Sequence, residues 1–383
     1  MKRVKAVIPA GGEGSRMLVL TTERPKPNVP FESGRVIDLV LSNCAHTVLI
    51  DSVDVLIQAH ANKLLRQIEG FAPEVAKPIR CQVAVIRGHE RYAGSADALR
   101  QSQYLFHDGY NHILTLCADQ IFVADYGDLI EQHEASVAAV TLMVKRYPAA
   151  EASRFGVVIL NASGVPVGFL EKPDNPPLIP GTTDQSLVHM GIAIFDAQQL
   201  QQMLCEVDGE DLSRHIIPHA FASGRLVQIY EFNGYWTDIG TPRSLWLANM
   251  DLVSSTPAIN LYDPSWPIIH RPRHLPSPKF IHQCQLHDAI VGNGSVIAGQ
   301  IVSSVLSTRI RVGRNTRIQD SVIFDRTIVG DNVQLKRVIV DKAAQINAGV
   351  ILGQDPAAEV KRYPGLVLAE DNIIIVPRGS VIA

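Results

Sequence analysis

The segment 9–27 combines glycines with cations in a pattern suited to phosphate binding. Its glycines are Gly11, Gly12 and Gly14, and its cations include Arg16 and Lys26. Glycine lets backbone N–H groups approach a phosphate that any Cβ would hold away. A nearby cation neutralises the charge that develops on an attacked phosphorus. The segment predicts a nucleoside triphosphate site, although the glycines taken alone fit an ordinary tight loop as well.

Two aspartates lie at places where a parallel sheet would present them to a metal ion. Asp119 comes just after the run 112–116, and Asp238 lies in the stretch 235–241. A triphosphate requires magnesium, which prefers hard carboxylate oxygens, and the carboxyl ends of parallel strands face the ligand crevice of an open α/β sheet. Taken alone, each aspartate is more often a cap or turn residue.

A third feature is the string Phe-Leu-Glu-Lys-Pro, in which Glu171 and Lys172 are adjacent. A carboxylate can accept hydrogen bonds from sugar hydroxyls, and an ammonium can bind a phosphate. An isolated string of this kind more often forms a solvated turn before the proline.

The elements that would position these residues alternate between short apolar runs and helical stretches as far as about residue 250. The runs 53–57, 82–86, 112–116 and 138–144 predict buried strands, and the stretches 62–70 and 95–104 predict helices. That alternation predicts a doubly wound α/β domain at residues 1–253.

The pattern changes after Ser254. Prolines crowd the stretch 254–279, which predicts a connector on the surface. From His287 onward, β-branched residues recur six positions apart, as at Val312 and Ile318. Faces of six residues stack into a parallel β-helix, which we predict for residues 280–383. A β-sandwich is the alternative.

Composition excludes several classes of protein. With 383 residues the chain suggests two domains, and its net charge of −3 gives no electrostatic footprint for nucleic acid or an anionic membrane. The five cysteines have neither zinc spacing nor disulfide density, and no apolar run reaches the roughly 18 residues of a membrane span. The N-terminus lacks the pattern of a signal peptide. We expect a soluble cytoplasmic protein.

These motifs together resemble those of the sugar-nucleotide pyrophosphorylases. Residues 11–27 match the family signature GGxGxRL…KP, with Met17 for leucine, and segments around Asp119, Asp238 and residues 169–173 match further motifs. The resemblance implies a Rossmann-like nucleotidyltransferase domain followed by a left-handed parallel β-helix. It also implies catalytic roles and ligands for the following residues: Arg16, Lys26 and Asp119 in catalysis; Gly11, Gly12, Gly14 and Ser15 at the triphosphate; Asp119 and Asp238 at Mg²⁺; Gly156, Glu171 and Lys172 at the sugar phosphate.

Further matches point to the adenylyl-transferring branch of this family. Residues 92–98 are similar to its YRGTADA segment, and Gln58 matches its adenine-reading glutamine. Nucleotide binding is then expected at Tyr92, Gly94 and Ser95, with Ser95 capping the following helix. The implied reaction is ATP plus glucose 1-phosphate giving ADP-glucose and diphosphate for glycogen or α-glucan synthesis. The family is usually tetrameric, so a homotetramer is expected.

The chain departs from the branch at several positions. Arg91 and Ala93 flank Tyr92 where tryptophan and arginine are usual, and His189 replaces a serine near the expected glucose pocket. Glu23 replaces a lysine found in many members activated by sugar phosphates, and Lys361 and Arg362 resemble part of the family's regulatory crevice. The three residues Glu23, Lys361 and Arg362 are therefore candidates for effector regulation, with an effector that differs from fructose 1,6-bisphosphate or is absent.

Three alternatives remain at this point. The enzyme could transfer uridylyl, guanylyl or thymidylyl groups to another sugar phosphate. It could also be a non-catalytic regulatory subunit of an adenylyltransferase complex, although Arg16, Lys26, Asp119, Lys172 and Asp238 are all present. A hexapeptide acyltransferase is the weakest alternative, because only His282 and His287 lie in the repeat region.

Overall fold

A computed structural model describes residues 2–11, 14–58, 61–83 and 92–383, with residues 82 and 83 described by their backbone alone. Gly12, Arg91 and the end of the strand predicted at 82–86 lie outside the described residues. The chain divides into two compact units. The first unit comprises residues 1–12, 40–118 and 123–234, and the second unit comprises residues 13–39, 119–122 and 235–383.

The N-terminal two thirds of the chain alternates strands and helices. Strands β1 to β13 are, in order, Val4–Pro9, Pro30–Phe31, Gly34–Arg35, Ile50–Ile57, Ile79–Val83, His112–Leu116, Gln120–Phe122, Val140–Pro148, Gly156–Leu160, Pro166–Glu171, Gln185–Asp196, Val227–Glu231 and Trp236–Asp238. Helices α1 to α8 are Val36–His46, Asn62–Phe71, Ser95–Gln101, Gly127–Ser136, Ala149–Ala152, Ala197–Glu206, Ile217–Ala222 and Pro242–Val253. No helix within the described residues is long and apolar enough to cross a membrane.

A mixed sheet of nine strands forms the core of the first unit. Its main order is β10-β9-β11-β6-β1-β4-β5, with β8 paired to β11 and β12 to β8. Strands β4, β1 and β6 run parallel to one another, whereas β11 runs antiparallel to β6. All five residues of β6 are buried, as expected of a central strand covered on both faces. The predicted α/β fold is confirmed.

The chain after Gly14 forms an irregular turn instead of a regular α-helix. A single short 3₁₀-type helix runs from Ser15 to Thr21, and the backbone of Leu18 inside it is non-helical with φ 53°. That left-handed conformation interrupts the regular hydrogen bonding of a helix, so the segment makes a compact turn. Its side chains Met17 and Leu20 are buried.

The C-terminal part is built from short parallel strands, as the six-residue pattern predicted. Strands β14 to β28 are Lys279–Phe280, Gln285–Val291, Val296–Ile297, Gln300–Leu306, Arg311–Val312, Arg317–Gln319, Val322–Ile323, Ile328–Val329, Gln334–Lys336, Val338–Val340, Gln345–Ile346, Ile351–Leu352, Val367–Leu368, Ile374–Val376 and Val381–Ile382, with helix α9 at Pro356–Arg362. Val312 pairs with Val329, and Val329 with Ile346, so equivalent positions stack 17 residues apart. These stacked side chains are buried and form the core of a parallel β-helix.

Two histidines in the first unit are buried and pack against each other. The rings of His112 and His133 meet edge to face with centroids 4.8 Å apart, and His133 Nδ1 lies 2.8 Å from Thr141 Oγ1. Burial, followed by the charges of His112 and Lys2, lowers the pKa of His133 from 6.5 to about 3. The folded protein therefore does not take up this proton until the solution is strongly acidic.

The His133 environment predicts a loss of stability in mild acid. The unfolded chain binds the proton near pH 6.5 and the folded chain only near pH 3, so the free energy of unfolding falls as pH drops below 6.5. Between pH 7.0 and 5.5 this residue should contribute about 1 kcal/mol of that loss. Urea unfolding of His133→Asn should show a smaller difference between the two pH values. Replacing the exposed His107 in the same way should leave the difference unchanged, and an equal effect of both substitutions would contradict this account.

Candidate active site

A buried ammonium group contacts both predicted metal-binding aspartates. In the second unit, Lys26 Nζ lies 2.7 Å from Asp119 Oδ2 and 3.4 Å from Asp238 Oδ1. The lysine is only 7% exposed. Three of the residues singled out by the sequence motifs therefore converge at one point, although they are separated by up to 212 positions in the chain.

A two-stranded antiparallel sheet positions the two carboxylates. Strand β7 pairs with β13, and Asp238 is opposite Gln120, the residue after Asp119. Ile239 also donates its backbone N–H to the carbonyl of Asp119 at 3.4 Å. Neighbouring positions on paired strands are within side-chain reach, so the sheet itself brings the two acids together.

The loop residues of the second unit bring a further cation to this cluster. Gly14 adopts φ 68°, a left-handed conformation that favours glycine. Its carbonyl oxygen accepts the N–H of Met17 at 2.9 Å. Arg16 and Ser15 are exposed beyond it. A Cβ added to Gly240 would lie 2.7 Å from Asp238 Oδ2 and 3.7 Å from Arg16 Cζ. Arg16 therefore lies beside the lysine and aspartate cluster, and Gly240 leaves room for it.

The electrostatics of this cluster keep Lys26 charged. Burial alone would lower the pKa of Lys26, but the negative charges of Asp119 and Asp238 outweigh it and raise that pKa above its usual 10.5. The charge of Arg16 acts weakly in the opposite direction. The result is a permanent cation flanked by two carboxylates.

The donor set fits a divalent metal ion. Two carboxylates within reach of one ammonium group are hard oxygen donors, and magnesium sites commonly use one or two carboxylates together with phosphate oxygens. No group of three or more histidine, cysteine or acidic side chains suited to a metal occurs in the part of the chain that the structure describes. The site is therefore of the kind in which the phosphates of a nucleotide supply the remaining metal ligands.

In the first unit, Gln58 connects two loops predicted to bind the nucleotide. Its side-chain Nε2 donates to the carbonyl of Gly11 at 3.0 Å, and its Oε1 accepts the N–H of Tyr92 at 3.1 Å. A Cβ on Gly11 would lie 2.6 Å from Gln58 Nε2, so a larger residue at position 11 would require the glutamine side chain to shift. The glutamine therefore bonds to backbone at the end of its strand and holds Gly11 and Tyr92 in fixed positions.

The expectation that Ser95 caps helix α3 is wrong. The N-cap residue is Gly94, and the N–H groups of Ala96 and Asp97 donate to the carbonyl of Glu210 at 2.8 and 3.1 Å. The Ser95 hydroxyl instead donates to Asp211 Oδ2 and accepts the N–H of Leu212. Because the carbonyl of Glu210 accepts the N–H groups at the start of the helix, the Ser95 hydroxyl is available to bind Asp211 and Leu212.

Asp211 is a structural residue of this region that the sequence analysis missed. Its side chain accepts the N–H groups of Ser213 and Arg214 and caps the short helix Leu212–Ile216. The string Asp-Leu-Ser-Arg-His before the apolar pair Ile216-Ile217 was a local capping signal that could have identified it.

The predicted sugar-phosphate residues also meet in the first unit. Glu171 Oε1 lies 3.1 Å from Lys172 Nζ, and the N–H of Lys172 donates to the carbonyl of Phe155 at 3.0 Å. Lys172 has φ 51°, which turns the chain sharply at the end of β10. A Cβ on Gly156 would lie 2.2 Å from Phe169 and 3.0 Å from Glu171 Oε2. The glycine therefore leaves the space that the aromatic ring and the carboxylate need.

His189 is buried and neutral. Its Nε2 lies 3.1 Å from the carbonyl of Ile192, and its ring meets that of Phe169 edge to face at 5.7 Å. Burial lowers its pKa from 6.5 to about 4. His189 also lines a small cavity of about 80 Å³ together with Ser95, Thr115 and Ser213. The imidazole fills space where a serine would leave more room.

The candidate regulatory residues are on the surface of the second unit. Glu23 Oε2 lies 3.1 Å from Arg378 Nη1, a cation that the sequence analysis did not select. Lys361 and Arg362 are exposed at the end of α9, and the Arg362 guanidinium lies over the ring of Tyr363. Their regulatory roles stay predictions.

Comparisons with known proteins agree with the fold and the site. A family model described as nucleotidyl transferase matches residues 5–255, and a model described as GlmU-like C-terminal hexapeptide matches residues 276–376. The chain is thus a nucleotidyl transferase with an appended hexapeptide β-helix. Nucleotidyl transferases generally use a divalent metal.

Three glucose-1-phosphate adenylyltransferases match nearly the whole length of the chain. The chain is 33% identical to a glucose-1-phosphate adenylyltransferase of Paramagnetospirillum magneticum, over 95% of this chain and 91% of the relative. It is 33% identical to glucose-1-phosphate adenylyltransferase 2 of Alkalilimnicola ehrlichii, over 96% and 93%. A glucose-1-phosphate adenylyltransferase of an Enterobacter species is 32% identical over 97% and 92%. The chain belongs to the glucose-1-phosphate adenylyltransferase family.

The close approach at Gly94 predicts that alanine is not tolerated there. Its Cβ would lie 2.3 Å from the carbonyl oxygen of Glu210, which caps α3. Gly94→Ala should therefore lower the free energy of unfolding by about 1–3 kcal/mol in urea titrations. Gly127→Ala is the matched control, because its Cβ would meet only a side-chain oxygen at 3.3 Å. Equal stability of the two variants would show that the carbonyl can move away without cost.

Proposed function

We propose that this chain transfers an adenylyl group from ATP to glucose 1-phosphate, giving ADP-glucose and diphosphate. The contact of Lys26 with both Asp119 and Asp238 carries the proposal, because adenylyl transfer needs a fixed cation and carboxylates together. Support also comes from the relatives, all three of which bear the name of this activity. The product would supply glucosyl units for glycogen or α-glucan synthesis.

The proposed chemistry is an in-line displacement. A phosphate oxygen of glucose 1-phosphate attacks the α-phosphorus of ATP, the new P–O bond forms, and diphosphate leaves. No covalent enzyme intermediate is required, so the protein contributes positioning and charge neutralisation. Arg16 and the amides of Gly11, Gly12, Gly14 and Ser15 would bind the triphosphate, and Lys26 would neutralise charge on the α-phosphoryl group.

Asp119 and Asp238 would hold the divalent ion, for which we propose Mg²⁺. When bound, the ion supplies charge neutralisation at the triphosphate. The two aspartates themselves keep Lys26 protonated and oriented, as the raised pKa of this lysine indicates. Because its charge is permanent, Lys26 would act as an electrostatic stabiliser rather than as a proton donor.

The remaining predicted residues would bind the base and the sugar. Gln58, Tyr92, Gly94 and Ser95 are proposed for the nucleotide, and Gly156, Glu171, Lys172 and His189 for the sugar phosphate. Since the buried imidazole of His189 is neutral at physiological pH, it would contact glucose by hydrogen bonding and shape rather than by charge.

Regulation and assembly are further parts of the proposal. Glu23 would weaken the binding of an anionic activator at that place, because its carboxylate already neutralises the guanidinium of Arg378. We expect Lys361 and Arg362 to affect the response to effectors, and we expect a homotetramer.

The first prediction concerns nucleotide choice. Purified protein with Mg²⁺ and glucose 1-phosphate should release diphosphate with ATP and not with UTP, GTP or dTTP. A coupled assay for diphosphate measures this directly. Release with another nucleotide would reject the adenylyl assignment and keep the transfer chemistry, whereas no release with any of them would favour a regulatory subunit.

The second prediction concerns Asp119. Asp119→Asn removes one of the two charges that flank Lys26, so kcat with ATP should fall by about 10²–10³-fold. Asp125→Asn is the control, because Asp125 is an exposed carboxylate that accepts the local N–H of Gly127 at 2.9 Å. Circular dichroism should show both variants folded. Normal turnover of the Asp119 variant would remove this residue from the mechanism.

A further inference from the structure

The segment 13–39, which carries Arg16 and Lys26, belongs to the same compact unit as the β-helix. This segment contains two buried arginines, Arg24 and Arg35, each only 6% exposed. Buried charges are costly unless a partner compensates them. Their partners therefore indicate what keeps the segment in position.

Among the described residues, Arg24 pairs with one carboxylate of the β-helix. Its Nη2 donates to Asp341, which is completely buried and follows strand β23. The Nε and Nη1 atoms of Arg24 are buried and have no hydrogen-bond partner among the described residues. Asp341 is in turn fixed by its backbone, since its N–H donates to the carbonyl of Val376 at 2.9 Å.

Arg35 is held by a second carboxylate on the β-helix. Arg35 Nη2 lies 3.0 Å from Asp325 Oδ2. Lys342 and Arg273 each approach Asp325 to 3.3 Å, and Thr308 donates its hydroxyl to it. Burial opposes the charge of Asp325, but these cations outweigh it and hold the pKa of Asp325 well below its usual range. This acid is therefore a fixed negative charge at physiological pH.

A third coil contacts the backbone of the same segment. Ser307 donates its hydroxyl to the carbonyl of Glu32 at 2.9 Å. Thr308, Asp325 and Lys342 are 17 residues apart, which is the spacing at which strands of this β-helix stack. Ser307 and Asp341 directly precede Thr308 and Lys342. One corner of three successive coils therefore binds the segment, through Ser307, Asp325 and Asp341.

The chain between Arg24 and Lys26 is short and stiff. Pro25 separates them with φ −66°, and Pro27 follows Lys26. Asn28 donates its N–H to the carbonyl of Pro25 at 2.9 Å, which closes a tight turn around Lys26. Because proline fixes its own φ, a displacement of Arg24 is passed to Lys26 rather than absorbed between them.

We propose that Asp341 and Asp325 of the β-helix are positioning residues for the adenylyl transfer reaction. Through Arg24 and Arg35 they hold the segment 13–39 so that Lys26 stays in contact with Asp119 and Asp238. The β-helix is then a required part of the catalytic apparatus. The inference rests on the proposed function for its kinetic test and on geometry alone for its structural test.

The kinetic test compares Asp341→Asn, which breaks a buried ion pair, with Asp371→Asn, which breaks an exposed one. Asp341→Asn leaves the Arg24 charge buried without a counter-charge, so kcat should fall ten- to a hundredfold, the scale on which small misplacements act. The KM for glucose 1-phosphate should change less than about threefold, because uniform binding of that substrate is not removed. Asp371→Asn breaks the ion pair of Arg243 in α8 with Asp371 of the same unit, which does not involve the segment 13–39, and should leave kcat unchanged.

The structural test measures amide hydrogen exchange by mass spectrometry and needs no activity. In Asp341→Asn, residues 14–35 should exchange faster while the coils 296–352 keep the protection of the unchanged protein. Asp325→Asn serves as the second variant if Asp341→Asn does not fold, and it should show the same local loss.

The two tests separate the inference from the proposed function. If the unchanged protein is inactive with every nucleotide, the proposed function fails, and the exchange data alone decide the positioning role. Unchanged kcat and unchanged protection of residues 14–35 in a folded variant would overturn the inference. Loss of protection throughout the second unit would also overturn it, because the carboxylate would then serve general stability.

Discussion

The second unit depends on one interaction, the contact of the buried Lys26 ammonium with the carboxylates of Asp119 and Asp238. A buried ammonium without partners would be costly, and two adjacent carboxylates without a cation would repel each other. Each of the three charges therefore requires the others. The pairing of β7 with β13 holds the two aspartates side by side. In our proposal, Arg24 and Arg35 of the segment 13–39 keep Lys26 beside them.

The first unit achieves its geometry mainly with backbone contacts. Gln58 fixes the loops of Gly11 and Tyr92, and the carbonyl of Glu210 satisfies the terminus of α3. Glycines at these places are required by close approach rather than by an unusual φ, as the 2.3 Å separation at Gly94 illustrates. A ligand that binds there meets polar groups that are already oriented, which reduces the entropy lost on binding.

Much of the fold was predictable because it depends on local patterns of apolar and polar residues. The strand at 112–116, the helix starting at Asn62 and the six-residue repeat depend on which faces are apolar, and neighbouring residues suffice to reveal that. Errors arose where a distant group replaced the local one. Ser95 had the residue type of a helix cap, but a carbonyl 115 positions away in sequence satisfies the helix, and the serine binds Asp211 instead.

By itself the sequence determined the family, the alternation of α/β elements followed by β-helix, and the identity of the charged motif residues, because these depend on residue type and short spacing. Only the tertiary structure decided which charges meet. Arg24 and Asp341 are 317 positions apart, and no local pattern marks either as the partner of the other. Likewise, the neutral state of His189 follows from its burial against Phe169. Burial and long-range pairing set charge states, and both are properties of the folded chain.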